Sequence, residues 1–380
     1  MTTKIERFLA ERRPATPCLV VDLDVVAEAY RELKRLLPEA KVFYAVKANP
    51  EPAVVDRLLR QGCGFDTASL GEVDLCLARG ARATHLSFGN TIKKERDIAL
   101  AYARGVRLFA FDSEAELDKL ARAAPGAQVF CRILVDCQGA EWPLSRKFGC
   151  APEMAVSLLR RANELGLDSY GISFHVGSQQ TDPRQWDPAV KQAARMFSVL
   201  AEVGVNLRML NVGGGFPARY VSEVPELANY VTALRASLIR HFGNALPELV
   251  VEPGRSLVAD AGVIESEVVL ISRKDDKDAR RWVYLDVGKF NGLAETMDES
   301  IKYRLRLTGE AADRRGGGGP VVLAGPTCDS ADILYEKTSY TLPLSLRIGD
   351  KVQILSAGAY TASYASVGFN GFAPIQTYCI

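Results

Sequence analysis

The sequence predicts an α/β protein: a closed (β/α)8 barrel followed by a separate, mostly antiparallel β domain. Three observations carry that expectation. Between residues 42 and 254, eight short β-branched runs alternate with stretches of helical period. Each intervening stretch is long enough for a crossover between parallel strands, which takes a dozen or more residues. After residue 258 the helical stretches thin out, and β-rich runs between Gly and Asp turns take over.

The elements follow in order. The opening run CLVVDLD (18–24) precedes the first barrel unit and could pair with the late strands, making the second domain discontinuous. The barrel runs are VFYAVKA (42–48), GFDTAS (64–69), HLSFGN (85–90), VRLFAFD (106–112), QVFCRIL (128–134), SYGISFHVG (169–177), RMLNVGGG (208–215) and ELVVEPG (248–254). Eight units over about 210 residues suit a closed barrel better than the alternative, an open doubly wound sheet. Pro52 opens a helical stretch whose apolar positions are Val54, Val55, Leu58 and Leu59. Ser113 precedes Glu116 by three, the spacing of a capping box. The late strands are GVIESEVVLISRK, RRWVYLDVG, GPVVLAGP and GDKVQILSAGAYT. The domains expected are therefore 25–258 and 259–380, the latter joined by 1–24. Gly316–Gly319 reads as a flexible loop with no chemical role.

Composition narrows the function. The 380 residues are 48% hydrophobic and 24% charged, as in a globular enzyme. A net charge of +1 excludes a strongly basic nucleic-acid binder. No apolar run reaches the ~18–20 residues of a membrane span. The start, MTTKIERFLAERRP, lacks the apolar core of a signal peptide, so a cytoplasmic location is expected. The eight cysteines are scattered without a C-x-x-C, which favours reduced, buried thiols over a disulfide framework. The three histidines have no partners at ligand spacing, and no metal site is expected.

In such a barrel the site forms where strands end at their C-terminal face. Lys47, Asp66, Asn90, His175, Gly213–Gly215 and Glu252 all fall at strand ends, with Arg255 just beyond. A lysine in an apolar run is disfavoured as a cation, a condition for forming an imine with an aldehyde. Consecutive glycines let backbone N–H groups approach an anion, and a following helix N-terminus would add to this. Arg255 adds a bidentate phosphate partner, and Glu252 could keep a heterocycle nitrogen protonated. Together with a stackable histidine, these describe a pyridoxal phosphate pocket.

YAVKAN (44–49), FDTAS (65–69), SFHVGS (173–178), GGGFP (213–217), EPGR (252–255) and CDSAD (328–332) carry a family resemblance. The chain resembles the alanine racemase-like, fold-type III pyridoxal phosphate decarboxylases, specifically the ornithine/lysine/arginine group, and is most similar in texture to bacterial ornithine decarboxylases. The resemblance implies that Lys47 carries the cofactor and His175 stacks on its ring. It implies that Ser178, Gly213, Gly214, Gly215, Gly254, Arg255 and Tyr360 hold the phosphate. Glu252 would pair with the ring nitrogen, and Asp66 would lie near Lys47. Cys328 would donate a proton after carbon dioxide leaves, and Asp329 would bind the distal amine of the substrate. Both would reach in from the other subunit of a homodimer with shared sites. Glu295 falls near the position of a second acidic contact, and Glu72 at that of a site-proximal carboxylate. The expected reaction is decarboxylation of a basic diamino acid in polyamine biosynthesis, L-ornithine to putrescine first, with L-lysine to cadaverine as a second candidate.

Related readings compete. Arginine is a possible substrate. Diaminopimelate decarboxylase shares the motifs but needs cationic partners, and usually has C-E-S where this chain has Cys328-Asp329-Ser330. Alanine racemase needs a second base, a tyrosine. A non-catalytic homologue, like the antizyme inhibitors, would have lost the cofactor residues that are present here.

Overall fold

A computed structural model describes residues 1–142, 147–314 and 317–380. The chain forms two compact units. One comprises residues 27–217 and 224–256, and the other residues 1–26, 218–223 and 257–380.

Strand β1 (Cys18–Val21) belongs to the second unit. The first unit then begins its alternation with β2 (Lys41–Ala45), β3 (Gly64–Thr67), β4 (Leu86–Phe88), β5 (Leu108–Phe111) and β6 (Gln128–Arg132). A short β7 (Ala140–Trp142) departs from the barrel. The barrel resumes with β8 (Asp168–Ser173), and β9 (Ser178–Gln180) pairs antiparallel with β7. Strands β10 (Met209–Asn211) and β11 (Glu248–Val251) close the parallel barrel onto β2. All eight expected runs supply a barrel strand. Phe43, Ala110, Phe130, Met209 and Val250, from five different strands, pack together in its interior.

Local sequence explains most helices. The helix Pro52–Leu59 places proline in its first turn and buries Val54, Val55 and Leu58. Helix Leu70–Ala78 starts at Ser69, whose hydroxyl accepts from Glu72 N–H, and the Glu72 carboxylate accepts from Ala68 N–H at 2.6 Å. The same spacing fails at Ser113: no side-chain cap forms there. The Glu116 carboxylate instead turns inward to Lys93 Nζ at 2.9 Å and to Lys119 Nζ at 2.5 Å. Lys93 is buried, and donates also to the carbonyls of Asn90 and Ala110. A buried ammonium needs a counter-charge more than a helix end needs a cap, which water can satisfy.

In the second unit, β12 (Gly262–Ser272) runs antiparallel to β1 and leads a sheet with β13 (Arg281–Leu285), β14 (Leu305–Leu307), β15 (Gly318–Ala324), β16 (Ile333–Pro343), β17 (Lys351–Leu355) and β18 (Gln376–Cys379). Strand β1 pairs with both β12 and β18, as expected of CLVVDLD. Two pairings, β1 with β18 and β13 with β15, are parallel. The glycine run is not a loop throughout. Gly318 and Gly319 open β15 and pair with Pro343 and Leu342, while Gly316 lies outside the described residues. Among the described residues no helix is long and apolar enough to cross a membrane.

Candidate active site

The barrel strands end in one polar cluster. Lys47 lies in a 3-10 turn (Val46–Ala48) directly after β2. Its Nζ donates to Asp66 Oδ2 at 2.8 Å. The apolar run around Lys47 suggests a desolvated amine, but its side chain is 46% exposed while that of Asp66 is 4%. The 3-10 turn lifts Lys47 out of the strand alternation, with buried Val46 and Ala48 on either side. A carboxylate partner, not burial, therefore sets its environment. Asp66 Oδ1 is buried and has no hydrogen-bond partner among the described residues. Beside it, a Cβ on Gly89 would come within 1.9 Å of that oxygen. Burial raises the Glu72 carboxyl, with Lys47 and Asp66 both close enough to influence it.

Two residues beyond β8, His175 Nδ1 accepts from Gly177 N–H at 3.1 Å. The ring proton then belongs on Nε2. Burial, Arg132 and Lys47 hold the imidazole well below its usual titration range, so it is neutral. Arg132, at the end of β6, lies over the Phe148 ring at 5.2 Å. It is half-buried, and its field reaches Glu252, Asp112 and Asp66.

The elements expected to bind an anion converge nearby. Arg255 is buried and donates from Nε and Nη2 to Ser178 Oγ at 3.3 and 3.1 Å. Gly213 and Gly215 adopt φ of 69° and 96°. A Cβ on Gly213 would meet Phe174 O at 2.4 Å, and one on Gly214 would meet Glu252 O at 2.5 Å, so neither tolerates a side chain. The turn is buttressed by Gln180, whose N–H donates to Gly215 O at 2.9 Å, and by Trp186, which stacks on Phe216. The helix expected directly after the glycines is absent: the next one begins at Leu227. No helix follows the glycines directly, so the groups there that could meet an anion are backbone N–H groups, Ser178 and Arg255. Gly254 is buried between Glu252 and Arg255.

Glu252 follows β11. Its Oε1 accepts from Asn211 Nδ2 at 2.5 Å. Burial and the Asp66 charge push its carboxyl up to about 7, against the opposing pull of Lys47, Asn211 and Arg132.

The remaining expected residues lie in the other unit. Cys328 and Asp329 are exposed on the loop after β15. A small core residue would be buried, as Cys18, Cys63, Cys76, Cys131 and Cys150 are. Cys328 N–H donates to Asn370 Oδ1 at 2.9 Å, and Asp329 Oδ1 accepts from Ala331 N–H at 2.8 Å. Beneath them Asp332 is buried and accepts from Lys289 N–H, Thr327 N–H and the Thr327 hydroxyl. Glu295 is buried in the 3-10 segment Ala294–Glu299. Tyr360 is half-buried with φ of 54°.

The barrel residues fit a pyridoxal phosphate. The unpartnered Asp66 oxygen, the elevated Glu252 carboxyl and the paired Arg255 and Ser178 beside a glycine turn answer a cationic ring and an anionic tail. Asn211, Arg132 and Gln180 carry no motif signal of their own, although Asn211 and Gln180 lie within two residues of a motif. Asp332 closes the CDSAD motif, but nothing in the sequence shows that it is buried beneath the loop.

Comparison with known proteins points to the same cofactor. A family described as the pyridoxal binding domain of pyridoxal-dependent decarboxylases matches residues 23–259. A lysine/ornithine decarboxylase of Selenomonas ruminantium is 36% identical over 98% of this chain and 91% of its own length. The crystal structure of a lysine/ornithine decarboxylase from Vibrio vulnificus, complexed with cadaverine, superposes with a TM-score of 0.88. It is 31% identical and is covered over 99% of its length, with all of this chain covered. An arginine decarboxylase from Paramecium bursaria Chlorella virus gives a TM-score of 0.91 at 27% identity, covering both chains completely. The chain belongs to the pyridoxal-dependent decarboxylases. It is an enzyme of that family, and its cofactor is pyridoxal 5'-phosphate.

Proposed function

We propose that the enzyme decarboxylates a basic diamino acid, with L-ornithine to putrescine as its main reaction and L-lysine to cadaverine as a second. The observation that carries the reading is the convergence of Lys47–Asp66, Asn211–Glu252 and Arg255–Ser178 at the strand ends of one barrel. Residues 25–258 act as the cofactor domain, and 259–380 with 1–24 as the β domain.

When bound, the cofactor supplies an electron sink for the bond broken at the substrate Cα. Lys47 Nζ would hold the cofactor, and Asp66 would keep that nitrogen in place. Neutral His175 would face the ring without adding a competing cation. Glu252 holds a proton on the ring nitrogen. Ser178, Arg255, Gly254 and the backbone of Gly213–Gly215 bind the phosphate, and the family resemblance adds Tyr360 to that set. Cys328 Sγ delivers a proton to Cα after carbon dioxide leaves. Asp329 pairs with the distal ammonium of the substrate, which is costly to bury alone, and Glu295 is a second acidic contact.

Cys328 and Asp329 act in the site of a partner subunit, so the enzyme is a homodimer with shared sites. Their exposure on a supported loop suits that role. A cytoplasmic location is in keeping with cysteines that form no disulfide among the described residues.

Carbon dioxide release from L-ornithine, L-lysine, L-arginine and meso-diaminopimelate, compared as kcat/KM, tests the substrate. Preference for ornithine or lysine is expected. Because one methylene is worth only ~1–3 kcal/mol in a pocket, activity on both is anticipated. Release from diaminopimelate alone would overturn the role of Asp329. Mixing inactive Lys47→Ala and Cys328→Ala subunits should restore about a quarter of normal activity if sites are shared across a two-fold dimer. No recovery after proven exchange would refute it.

A further inference from the structure

We infer that Asn211 is a positioning residue that keeps the Glu252 carboxylate anionic and aimed, so that the cofactor ring nitrogen retains its proton. The inference rests on the reading of Glu252 given above and adds what holds Glu252 in that state.

Asn211 is the last residue of β10 and is 1% exposed. Both ends of its amide are used. Nδ2 donates to Glu252 Oε1 at 2.5 Å, and Oδ1 accepts from Gly213 N–H at 2.9 Å. Glu252 N–H in turn donates to Gly213 O at 2.9 Å, closing a ring of three residues. The backbone N–H of Gly213 can only donate, which fixes which end of the amide carries oxygen. The flipped amide would set N–H against N–H and carbonyl against carboxylate. Asn211 therefore presents a donor to Glu252 as long as the glycine turn keeps its shape. One side chain thereby couples the phosphate turn to the acid that faces the ring nitrogen.

The donor acts against an unfavourable background. Asp66 on β3 opposes a charge on Glu252, whereas Lys47 after β2 and Arg132 on β6 favour it. His175 after β8 is neutral and adds no charge. Burial and Asp66 push the Glu252 carboxyl up to about 7, so losing the Asn211 donor moves it further toward its protonated form. Without it, the carboxylate becomes the stronger base and draws the proton from the ring nitrogen.

The test uses the loaded enzyme with cofactor isotope-labelled at the ring nitrogen, read by nuclear magnetic resonance, together with the rate of cofactor release. In Asn211→Leu the ring nitrogen should move to its unprotonated resonance at neutral pH. Cofactor release should speed up roughly tenfold, as expected for losing a hydrogen bond to a charged group. The kcat should fall by at least as much while KM stays within about twofold. Asn211→Ala removes the same bond without added bulk and serves if the leucine variant does not fold. In a Glu252→Gln background, Asn211→Leu should have no further effect on the ring nitrogen. A protonated ring and unchanged release in both Asn211 variants would overturn the inference, as would a full additional effect in the Glu252→Gln background. If Glu252→Gln itself leaves the ring nitrogen and cofactor release unaltered, the reading of Glu252 fails, which is a distinguishable result.

Discussion

Two carboxylates, one in each compact unit, are pushed in opposite directions. Glu252, at the end of β11, is held up to about 7 by burial and by Asp66. Burial also acts against the charge of Glu299 in the β unit, yet Thr338 and the backbone N–H groups of residues 336–338 hold it at about 2. The difference lies in how many donors each receives. Glu299 ties three consecutive N–H groups of β16 and is fully served by its own fold. Glu252 receives one side-chain donor, and nearby Asp66 Oδ1 receives none among the described residues. Scaffold sites collect donors, whereas a binding site keeps polar groups short of partners until its ligand arrives.

The largest effect expected is that of Lys47→Ala. Turnover should drop to background and the protein should no longer retain cofactor covalently. The substitution should also cost the cofactor-free protein about 3 kcal/mol in urea unfolding, because Asp66, only 4% exposed, loses the ammonium it pairs with. Full activity in this variant would break the assignment of the barrel mouth as the site.

Glu116→Ala sharpens the comparison by showing that the barrel, too, has scaffold charges. It leaves Lys93 buried without its counter-charge, and should cost about 3–5 kcal/mol. Burial already lowers Lys93 to about 8, so the variant should regain part of that loss as pH rises and the amine neutralises. A loss that is the same at all pH values would point to packing instead.

Glu299→Gln should cost about 2 kcal/mol, through weaker acceptance of the three N–H groups. The carboxyl of Glu299 is lowered from the ordinary 4.5 to about 2, so its contribution is complete above about pH 4.5 and disappears as pH falls toward 2. Acid titration of urea stability should therefore lose this segment in the variant.

The smallest effect has the opposite sign. Glu252 is raised, so the cofactor-free protein is favoured at low pH and loses stability as pH rises from about 4.5 through 7. Glu252→Gln should remove that slope and stabilise the cofactor-free protein by about 1–2 kcal/mol above neutrality, while impairing the loaded enzyme. A variant destabilised at every pH would place Glu252 with Glu299 as a scaffold acid and dissolve the contrast.

Much of this was legible before folding. Eight β-branched runs became eight barrel strands, and CLVVDLD found the late strands it was expected to join. Other expectations failed for identifiable reasons. Ser69 with Glu72 and Ser113 with Glu116 have the same spacing, but only the first pair caps its helix, because a buried lysine claims Glu116. Lys47 lies in an apolar run yet is half exposed, because a 3-10 turn breaks the alternation there. Gly318 and Gly319 read as a loop but find a strand partner in β16.

The sequence by itself determined the period of each segment and the order of the strands. These depend on neighbours a few residues away, which the chain specifies directly. Only the tertiary structure decided which polar atoms meet. Asn211 reaches Glu252 across 41 residues and Arg255 reaches Ser178 across 77, because barrel closure brings their strand ends together. Asp332 supports the Cys328 loop by collecting donors from residues 289 and 327. Periodicity tells which face a side chain takes, but not which donor, charge or empty space awaits it there. Those partners set the protonation of Glu252.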